Sequence, residues 1–437
     1  MLALPFSNWL GRRGLHYAWV IAALTFLSTL TISAALGLPG ALLQPLGHEF
    51  GWNTEQISSA LALRFALFGL MGPFAALLME RYGLRNVVCT ALALVAIGMG
   101  LATQVGALWQ LFFLWGVLLG IGSGMVALVL TAVVANRWFT ARRGLVVGIL
   151  TASSATGQLI FLPAAAWLIE HHGWRLAMLP VGIACFGVAA LVFLFMRNRP
   201  ADLGLAAYGE APAAAAAAIA PALAPARMGF SEPFVALRQA AVTPTFWILA
   251  GTFFICGLST NGLVQTHFIS LCGDYGLAAL PAASVLAMMG AFDLVGTIAS
   301  GWLSDRYDSR KLLFWYYGLR GLSLFWLPHS DFTLYGLSIF AMFYGLDWIA
   351  TVPPTVKLVG NAFGRERAGL VFGWIFAAHQ VGAATAAYGA GFARTVMFSY
   401  TPALYTAGAA CLVAALAVLA ISRTGRPAPA LAPAVKA

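Results

Sequence analysis

The sequence predicts an all-α polytopic membrane protein with twelve transmembrane helices, arranged as two parallel six-helix repeats. Three observations predict it: the composition, the length of the uncharged runs, and a loop motif that recurs far along the chain. The 437 residues are 61% hydrophobic and 9% charged, with a mean hydropathy of +0.87. Soluble domains hold roughly 25% charged residues. A single water-soluble core is therefore excluded.

The long apolar runs set the number of spans. About 20 apolar residues cross a ~30 Å hydrocarbon layer. The 51 residues from Asn86 to Asn136 contain no charged residue and no histidine, which is enough for two crossings and a turn. The first six predicted spans lie at 17-43, 55-79, 86-104, 108-134, 143-168 and 176-196. The second six lie at 244-270, 282-303, 312-328, 332-356, 368-392 and 402-422.

The distribution of positive charge predicts the orientation. All but four of the 24 Lys and Arg lie at the termini, in the even-numbered loops or at the helix ends beside them. Short basic loops remain cytoplasmic, so we expect an inner-membrane protein with both termini in the cytoplasm. The net charge of +10 therefore reflects topology, and no nucleic-acid partner is expected.

Other features exclude further classes of protein. The apolar run after Arg12 and Arg13 continues to Leu46, which is too long for a signal peptide. The five scattered cysteines indicate neither disulfides nor a metal cluster, and we interpret them as small apolar residues. No nucleotide-binding loop, catalytic triad or metal-ligand spacing stands out, so no enzyme, cofactor or metal site is expected.

A loop motif in the first half of the chain recurs in the second half at a constant offset. The loop after span 2 reads LLMERYGLRN and the loop after span 8 reads WLSDRYDSRK. The segment 136-148 is identical to 361-373 at six of 13 positions with the same offset, and Gly120 and Gly345 also correspond. An even number of spans per unit makes the two copies parallel, an arrangement found in one large class of secondary transporters.

These loops, the six-plus-six arrangement and the long central loop resemble the major facilitator superfamily. RWFTARRGLVVG at span 5, THFISLCGDYGL after span 7 and FDLVGTIASGWLSDRY in span 8 resemble bacterial monocarboxylate and oxalate/formate porters. The resemblance implies a monomeric secondary transporter for a small-molecule substrate. The predicted domains are a bundle at 1-197, a cytoplasmic Ala/Pro-rich linker at 198-240, a bundle at 241-423 and a tail at 424-437.

The resemblance also implies a cytoplasmic latch that forms only while the cytoplasmic side is closed. Glu80 and Asp305 would lie near the N-termini of spans 5 and 11, where helix dipoles and arginines favour a carboxylate. The alternative is that these charges only fix topology. The predicted gate residues are Glu80, Arg81, Arg85, Arg142, Asp305, Arg306, Arg310 and Arg367.

Ionisable residues inside the spans are candidates for substrate binding and proton coupling, since each costs roughly 2.5 kcal/mol or more at the membrane centre. For each there is also a structural interpretation: Asp293 bonded to a hydroxyl of span 5, Arg64 bonded to carbonyls or beside His379, and Asp347 paired with Arg320 or Arg64. Polar residues on the same helix faces suggest a water-accessible route. The predicted set is Arg64, Asp293, Asp347, His379, Asn261, Gln265 and Gln158.

Two departures from the monocarboxylate porters bear on the substrate. Their arginine in span 8 and lysine in span 1 correspond here to Thr297 and Gly40, so carboxylate binding would depend on Arg64. The sequence predicts a proton-coupled transporter of a small organic solute, with a carboxylate favoured and sodium as the alternative ion. The other functions left open are a proton-antiport exporter of an amphipathic or aromatic compound and a transport-dead sensor.

Overall fold

The computed structural model describes residues 3–210 and 229–422, apart from a few side chains within the helices. A short helix, Ala3–Arg12, precedes the first span. The spans of the first unit are Ala18–Phe50, Thr54–Tyr82, Leu84–Ala102, Leu108–Trp138, Arg143–His172 and Trp174–Phe195. Those of the second unit are Pro244–Asp274, Ala279–Arg306, Ser309–Trp326, Leu334–Phe363, Arg365–Met397 and Thr401–Ala417.

The predicted all-α fold with twelve spans is confirmed. Ten of these segments are long and apolar enough to cross a membrane by length and hydropathy, and spans 5 and 9 complete the set. The observed helices extend beyond the apolar runs. Span 1, for example, continues to Phe50 and ends at Gly51 with φ 69°, a left-handed conformation that glycine adopts readily. Asn53 then caps span 2 by accepting the Gln56 backbone N–H at 2.8 Å.

Span 10 is a broken helix, not the continuous segment that we predicted. It consists of Leu334–Asp347 and Val352–Phe363, separated by the turn residues 348–351. Pro353 and Pro354 favour this break, because proline has no backbone N–H and cannot complete the helical bonds of the preceding turn. Backbone groups of this turn therefore need other partners at mid-membrane depth.

The internal repeat is visible in the packing. The Cβ of an alanine at Gly120 would lie 2.9 Å from the Arg64 carbonyl oxygen, and one at Gly345 would lie 2.6 Å from the Met289 carbonyl oxygen. Gly345 corresponds to Gly120 in the repeat, and Met289 corresponds to Arg64 at the same offset. Close backbone contact of spans 2 and 4 recurs between spans 8 and 10, so each unit uses the same helix crossing.

The described parts of the predicted linker are packed against the bundles. The Tyr208 carbonyl accepts the backbone N–H groups of Thr140 and Ala141, at 2.9 and 3.1 Å. Helix Glu232–Ala240 lies against span 11, where the Trp374 indole donates to the Pro233 carbonyl at 2.8 Å. The Ala/Pro tract 211-226 and the tail 424-437 lie outside the described residues.

The two units are closed at one end of the molecule. We call the end carrying the described chain ends the terminal face and the opposite end the distal face. On the distal side, residues 262–272 of span 7 are all buried, and Ala41, Leu162 and Ala166 of the first unit join a core cluster of the second unit. Toward the terminal face, contacts between the units continue along spans 2 and 11, where a Cβ at Gly373 would lie 3.2 Å from Pro73 Cα and the ring centroids of Phe74 and Trp374 are 6.3 Å apart. The closure that spans 1, 5 and 7 form lies on the distal side.

Replacing Gly345 with alanine tests the helix crossing. The added methyl group would overlap the Met289 backbone, so we expect Gly345→Ala to lower the free energy of unfolding by about 1–3 kcal/mol. Thermal unfolding in detergent measures the effect. Gly318→Ala is the matched control, because nothing lies within 4 Å of its added Cβ. Equal melting temperatures for the two variants would contradict the packing argument.

Candidate functional site

The broken turn of span 10 is held by side chains from spans 8 and 9. Arg320 Nη2 donates to the carbonyl oxygens of Asp347 at 2.5 Å and Trp348 at 3.2 Å. Asp293 Oδ1 accepts the Ile349 backbone N–H at 2.9 Å, and Ser300 Oγ donates to the Ala350 carbonyl at 2.5 Å. These bonds replace the helical partners that the break removes, which is how non-helical backbone is tolerated at this depth.

Arg320 and Asp347 form a buried ion pair beside the break. Arg320 Nε lies 2.7 Å from Asp347 Oδ2, and the two side chains are 0% and 8% exposed. Arg320 Nη1 also donates to Cys256 Sγ at 3.0 Å. This geometry matches the fixed-pair interpretation of Asp347. Asp347 Oδ1 has no hydrogen-bond partner in the described part of the chain.

Asp293 lies next to this pair, in the middle of span 8. Its Oδ1 accepts from Thr297 Oγ1 at 3.0 Å as well as from Ile349. The hydroxyl partner considered in span 5 was wrong for the described residues, because Thr297 one helical turn away on the same span occupies that role. No ion pair to Asp293 occurs among the described residues. The cluster thus contains two carboxyl groups and one guanidinium.

Arg64 is a buried cation without an acidic partner among the described residues. It is 1% exposed, its Nη1 donates to the Leu36 carbonyl at 3.0 Å, and its guanidinium lies 4.5 Å from the Phe65 ring centroid. Its Nε has no hydrogen-bond partner in the described part of the chain. The carbonyl-bonding interpretation of Arg64 accounts for one donor and leaves its charge unbalanced.

The other predicted polar residues are not all brought together. His379 is 8% exposed between Phe253 and Phe376, with ring centroids 4.8 and 5.8 Å away, and its Nδ1 has no described partner. Asn261 and Gln265 lie in a wide π-helical segment of span 7, Leu258–Gln265, a form often found at functional sites. The side chain of Gln158 lies outside the described residues.

The predicted latch residues have other partners in this conformation. Glu80 pairs with Arg137 and more distantly with Arg199, at 3.6 Å, both in its own half of the chain. Arg367 Nη1 donates to Gln239 Oε1 at 2.7 Å. The expected contact of Glu80 with Arg142 or Arg367 is therefore absent from the described contacts. A latch that forms only when the terminal face closes stays a prediction.

The second copy of the loop motif is likewise engaged locally. Arg310 donates to both carboxylate oxygens of Asp308 and to the Ile421 carbonyl at 2.8 Å. Asp305 is exposed and forms no ion pair with a described side chain. The remaining arginines lie over aromatic rings: Arg81 over Phe230 at 4.8 Å, Arg85 over Phe193 at 5.5 Å and Arg306 over Trp302 at 4.0 Å.

Carboxylates that the sequence analysis did not select join the units at the distal face. Glu170, at the end of span 5, accepts the Leu280 backbone N–H of span 8 at 2.9 Å. Glu55 of span 2 accepts the Tyr388 hydroxyl of span 11 at 2.8 Å. Glu170 thus caps a helix of the other unit whose own N-cap residue, Ala278, has no side-chain acceptor for the backbone N–H groups of the first turn. A carboxylate at a helix N-terminus, which we predicted for the terminal face, thus occurs at the distal face.

Two members of the central cluster were also missed. Cys256 was interpreted as a small apolar residue, yet it accepts from Arg320 and lies 3.3 Å from Thr351 Oγ1. Ser300, which donates to the Ala350 carbonyl, was not among the predicted site residues. The adjacent prolines of span 10 were the available signal, because a buried helix break predicts that nearby side chains bind its backbone.

Comparison with known proteins decides the family. The model of the Major Facilitator Superfamily matches residues 21–387. The chain belongs to the Major Facilitator Superfamily. It is similar to monocarboxylate transporter 13 of Rattus norvegicus, with 26% identity over 399 residues covering 90% of this chain and 86% of the relative. It is also similar to a gallate transporter of Pseudomonas putida, with 26% identity over 343 residues and 73% of each chain.

The fold agrees with solved members of the superfamily. A D-xylose-proton symporter superposes with a TM-score of 0.71 at 14% identity, covering 94% of this chain and 99% of that one. Family and relatives are transporters, so this chain is a multi-pass membrane transporter of a small organic solute. The resemblance to the monocarboxylate group that the motifs predicted is confirmed by the relatives.

A double-mutant cycle tests the ion pair of this superfamily member. Arg320→Met leaves Asp347 uncompensated and three acceptors without their donor, so we expect a loss of about 3–5 kcal/mol in the free energy of unfolding. Arg320→Met combined with Asp347→Leu removes both charges, and we expect it to recover part of that loss. Thermal unfolding of the double variant and of both single variants in detergent completes the cycle. If the losses of the two single variants simply add in the double variant, a direct pair is contradicted.

Proposed function

We propose that this transporter moves a small organic acid across the inner membrane together with protons. The observation that carries the proposal is the buried guanidinium of Arg64, which has an unused donor and no described carboxylate within ion-pair distance. A carboxylate of the substrate would supply both the missing acceptor and the missing charge. A charged group inside a membrane bundle usually faces a partner or a substrate route.

The contrast with Arg320 supports this role. Both arginines are 1% exposed, but Arg320 is engaged by Asp347, two carbonyl oxygens and a thiol, whereas Arg64 has one described hydrogen bond. A guanidinium with all its donors bonded to the protein has a structural role. Binding a ligand there would first break several of those hydrogen bonds. An unbalanced one gains a charge-assisted bond when a carboxylate arrives, and its planar fork matches the two oxygens of that group.

Asp293 is the proposed proton carrier. Two carboxyl groups share one guanidinium at the broken turn, and Arg320 pairs directly with Asp347 alone. Leaving a second buried charge unpaired costs several kcal/mol, so a proton on Asp293 balances the cluster. Losing that proton would place a negative charge against the turn of span 10. Proton binding and the position of span 10 are thereby linked.

The relatives support the substrate class. Several of the similar proteins bear the name monocarboxylate transporter and another is named a gallate transporter, and their named substrates are organic acids. Binding by Arg64 would replace the arginine and lysine of the monocarboxylate porters, which correspond to Thr297 and Gly40 here.

The orientation and the gate follow from charge. The abundance of arginine at the terminal face supports a cytoplasmic location for that face, and with that orientation the distally closed structure would be inward-facing. When the terminal face closes, Glu80 and Asp305 would leave their present surroundings. They would then form ion pairs with Arg142 and Arg367 at the facing helix ends. The fold needs no second subunit to complete the cluster around Arg320, consistent with a monomer.

Uptake by proteoliposomes tests the proposal. The protein is reconstituted and offered labelled short monocarboxylates, aromatic acids and hydrophobic cations, with and without an inward proton gradient. We expect the gradient to drive uptake of an acid. Arg64→Gln should reduce apparent affinity for that acid by about tenfold or more, since it removes a charge-assisted bond. Asp293→Asn should abolish the response to the gradient while exchange of unlabelled for labelled acid continues.

The control is Arg238→Gln, which removes one positive charge from an exposed site with no described hydrogen bond. It should transport like the unaltered protein. Uptake limited to hydrophobic cations would contradict the proposal that the substrate is an organic acid. Equal affinity of Arg64→Gln and Arg238→Gln for the acid would show that Arg64 does not bind it. A preserved gradient response in Asp293→Asn would remove Asp293 from the proton route.

A further inference from the structure

The close contact between spans 2 and 11 ends shortly before the terminal face. A Cβ at Gly373 would lie 3.2 Å from Pro73 Cα, so the backbones of the two helices touch there. Gly369 lies one helical turn nearer the terminal face, on the same side of span 11. Nothing lies within 4 Å of a Cβ added at Gly369. The two units therefore lose their direct contact between these two glycines.

Phe234 of the linker helix Glu232–Ala240 lies where this contact ends. Its ring centroid is 5.5 Å from that of Phe74 in span 2 and 5.8 Å from that of Trp374 in span 11. Aromatic rings at such distances attract one another. Phe234 is thus held by both units at once.

The chain on either side of this ring follows one unit and then the other. Before it, the Phe230 ring centroid lies 4.8 Å from the guanidinium carbon of Arg81 at the end of span 2. After it, Gln239 Oε1 accepts from Arg367 Nη1, at the start of span 11, at 2.7 Å. Each arginine lies seven residues, or about 10 Å, from the aromatic ring of its own span. We call residues 230–239 the wedge segment.

The wedge segment is bound more firmly to the second unit than to the first. The Trp374 indole donates to the Pro233 carbonyl at 2.8 Å, and Pro233 and Ala240 are buried. The described contacts with the first unit are made by the rings of Phe230 and Phe234, which are 46% and 55% exposed. The contacts with the first unit are therefore the easier ones to break.

We propose that the wedge segment is an autoinhibitory contact that keeps the terminal face open. This inference rests on the alternating closure of the proposed function. Closing the terminal face would bring the ends of spans 2 and 11 together, and Phe234 occupies the space between them. The same closure would use Arg367 as a gate residue, and Gln239 now binds it. The wedge segment must therefore leave the first unit before this face closes.

The distance between two spin labels on the full-length protein in lipid nanodiscs tests the proposal. Asn86→Cys and Lys311→Cys place the labels at exposed, equivalent positions of the two repeats, near the starts of spans 3 and 9. Cys89→Ala removes the half-buried native cysteine, and the other four cysteines are buried. A shorter distance reports closure of the terminal face. The measurement needs no substrate, so it remains decisive if the acid of the proposed function is wrong.

Phe234→Ala removes the ring between the two units. We expect it to raise the population with the shorter distance about fivefold, because roughly half of a phenylalanine side chain loses its contacts. Val235→Ala is the matched control, since Val235 is 44% exposed on the same helix, and it should leave the distances unchanged. Equal distance distributions in the two variants would overturn the wedge. A longer distance in Phe234→Ala would show that the segment draws the units together, which also overturns the proposal.

A second pair of variants tests the same segment if Phe234→Ala does not fold. Gln239→Ala releases Arg367, and we expect it to raise the population with the shorter distance as well. Arg238→Ala changes the exposed neighbouring residue and should have no effect. Identical distances in Gln239→Ala and Arg238→Ala would contradict the proposed role of Gln239 in holding the gate arginine.

Discussion

The bonds that Arg320 makes to the broken turn of span 10 are the constraint on which the functional centre depends. A helix interrupted at mid-membrane depth exposes backbone groups that lipid cannot satisfy. Arg320 covers two of the carbonyls, Ser300 covers a third and Asp293 covers an N–H. The break then becomes stable, but its stability is tied to the charge of the residues that hold it. In the proposed mechanism, a change of proton on Asp293 would alter its bond to Ile349 and so affect the position of span 10.

The two repeats have the same helix packing but carry different buried charged residues. The glycine contacts at Gly120 and Gly345 are equivalent, and both spans 4 and 10 depart from a continuous helix at equivalent positions near Met125 and Ala350. The buried charged residues inside the spans are not repeated. In the first unit, the positions equivalent to Asp293, Arg320 and Asp347 hold Phe68, Val95 and Gly122, and in the second unit the position equivalent to Arg64 holds Met289. The first unit thus supplies an unbalanced cation and the second supplies the carboxyl groups, which suits a substrate held between two moving bodies.

Hydropathy and the internal repeat were sufficient to predict the fold. A helix that crosses a ~30 Å apolar layer must be long and apolar, whichever helices it packs against. The same reasoning found Arg64, Asp293 and Asp347, since charge inside such a run is conspicuous. It also offered the Asp347–Arg320 pair and the carbonyl bond of Arg64 as structural interpretations, and both occur. It did not find the partners of Glu80, and it did not find the role of Cys256, which depends on a helix break that three other spans approach. Pairings set by conformation or by long-range packing leave little trace in local sequence.

The central claim is that a proton on Asp293 balances the cluster around Arg320. Infrared difference spectroscopy of the purified protein observes the carbonyl stretch of a protonated carboxyl group directly. The account predicts such a band in the substrate-free protein at neutral pH, its loss in Asp293→Asn, and its retention in a variant altered at the exposed Asp305. Persistence of the band in Asp293→Asn, or its absence from the unaltered protein, would contradict the account and place the proton on another group.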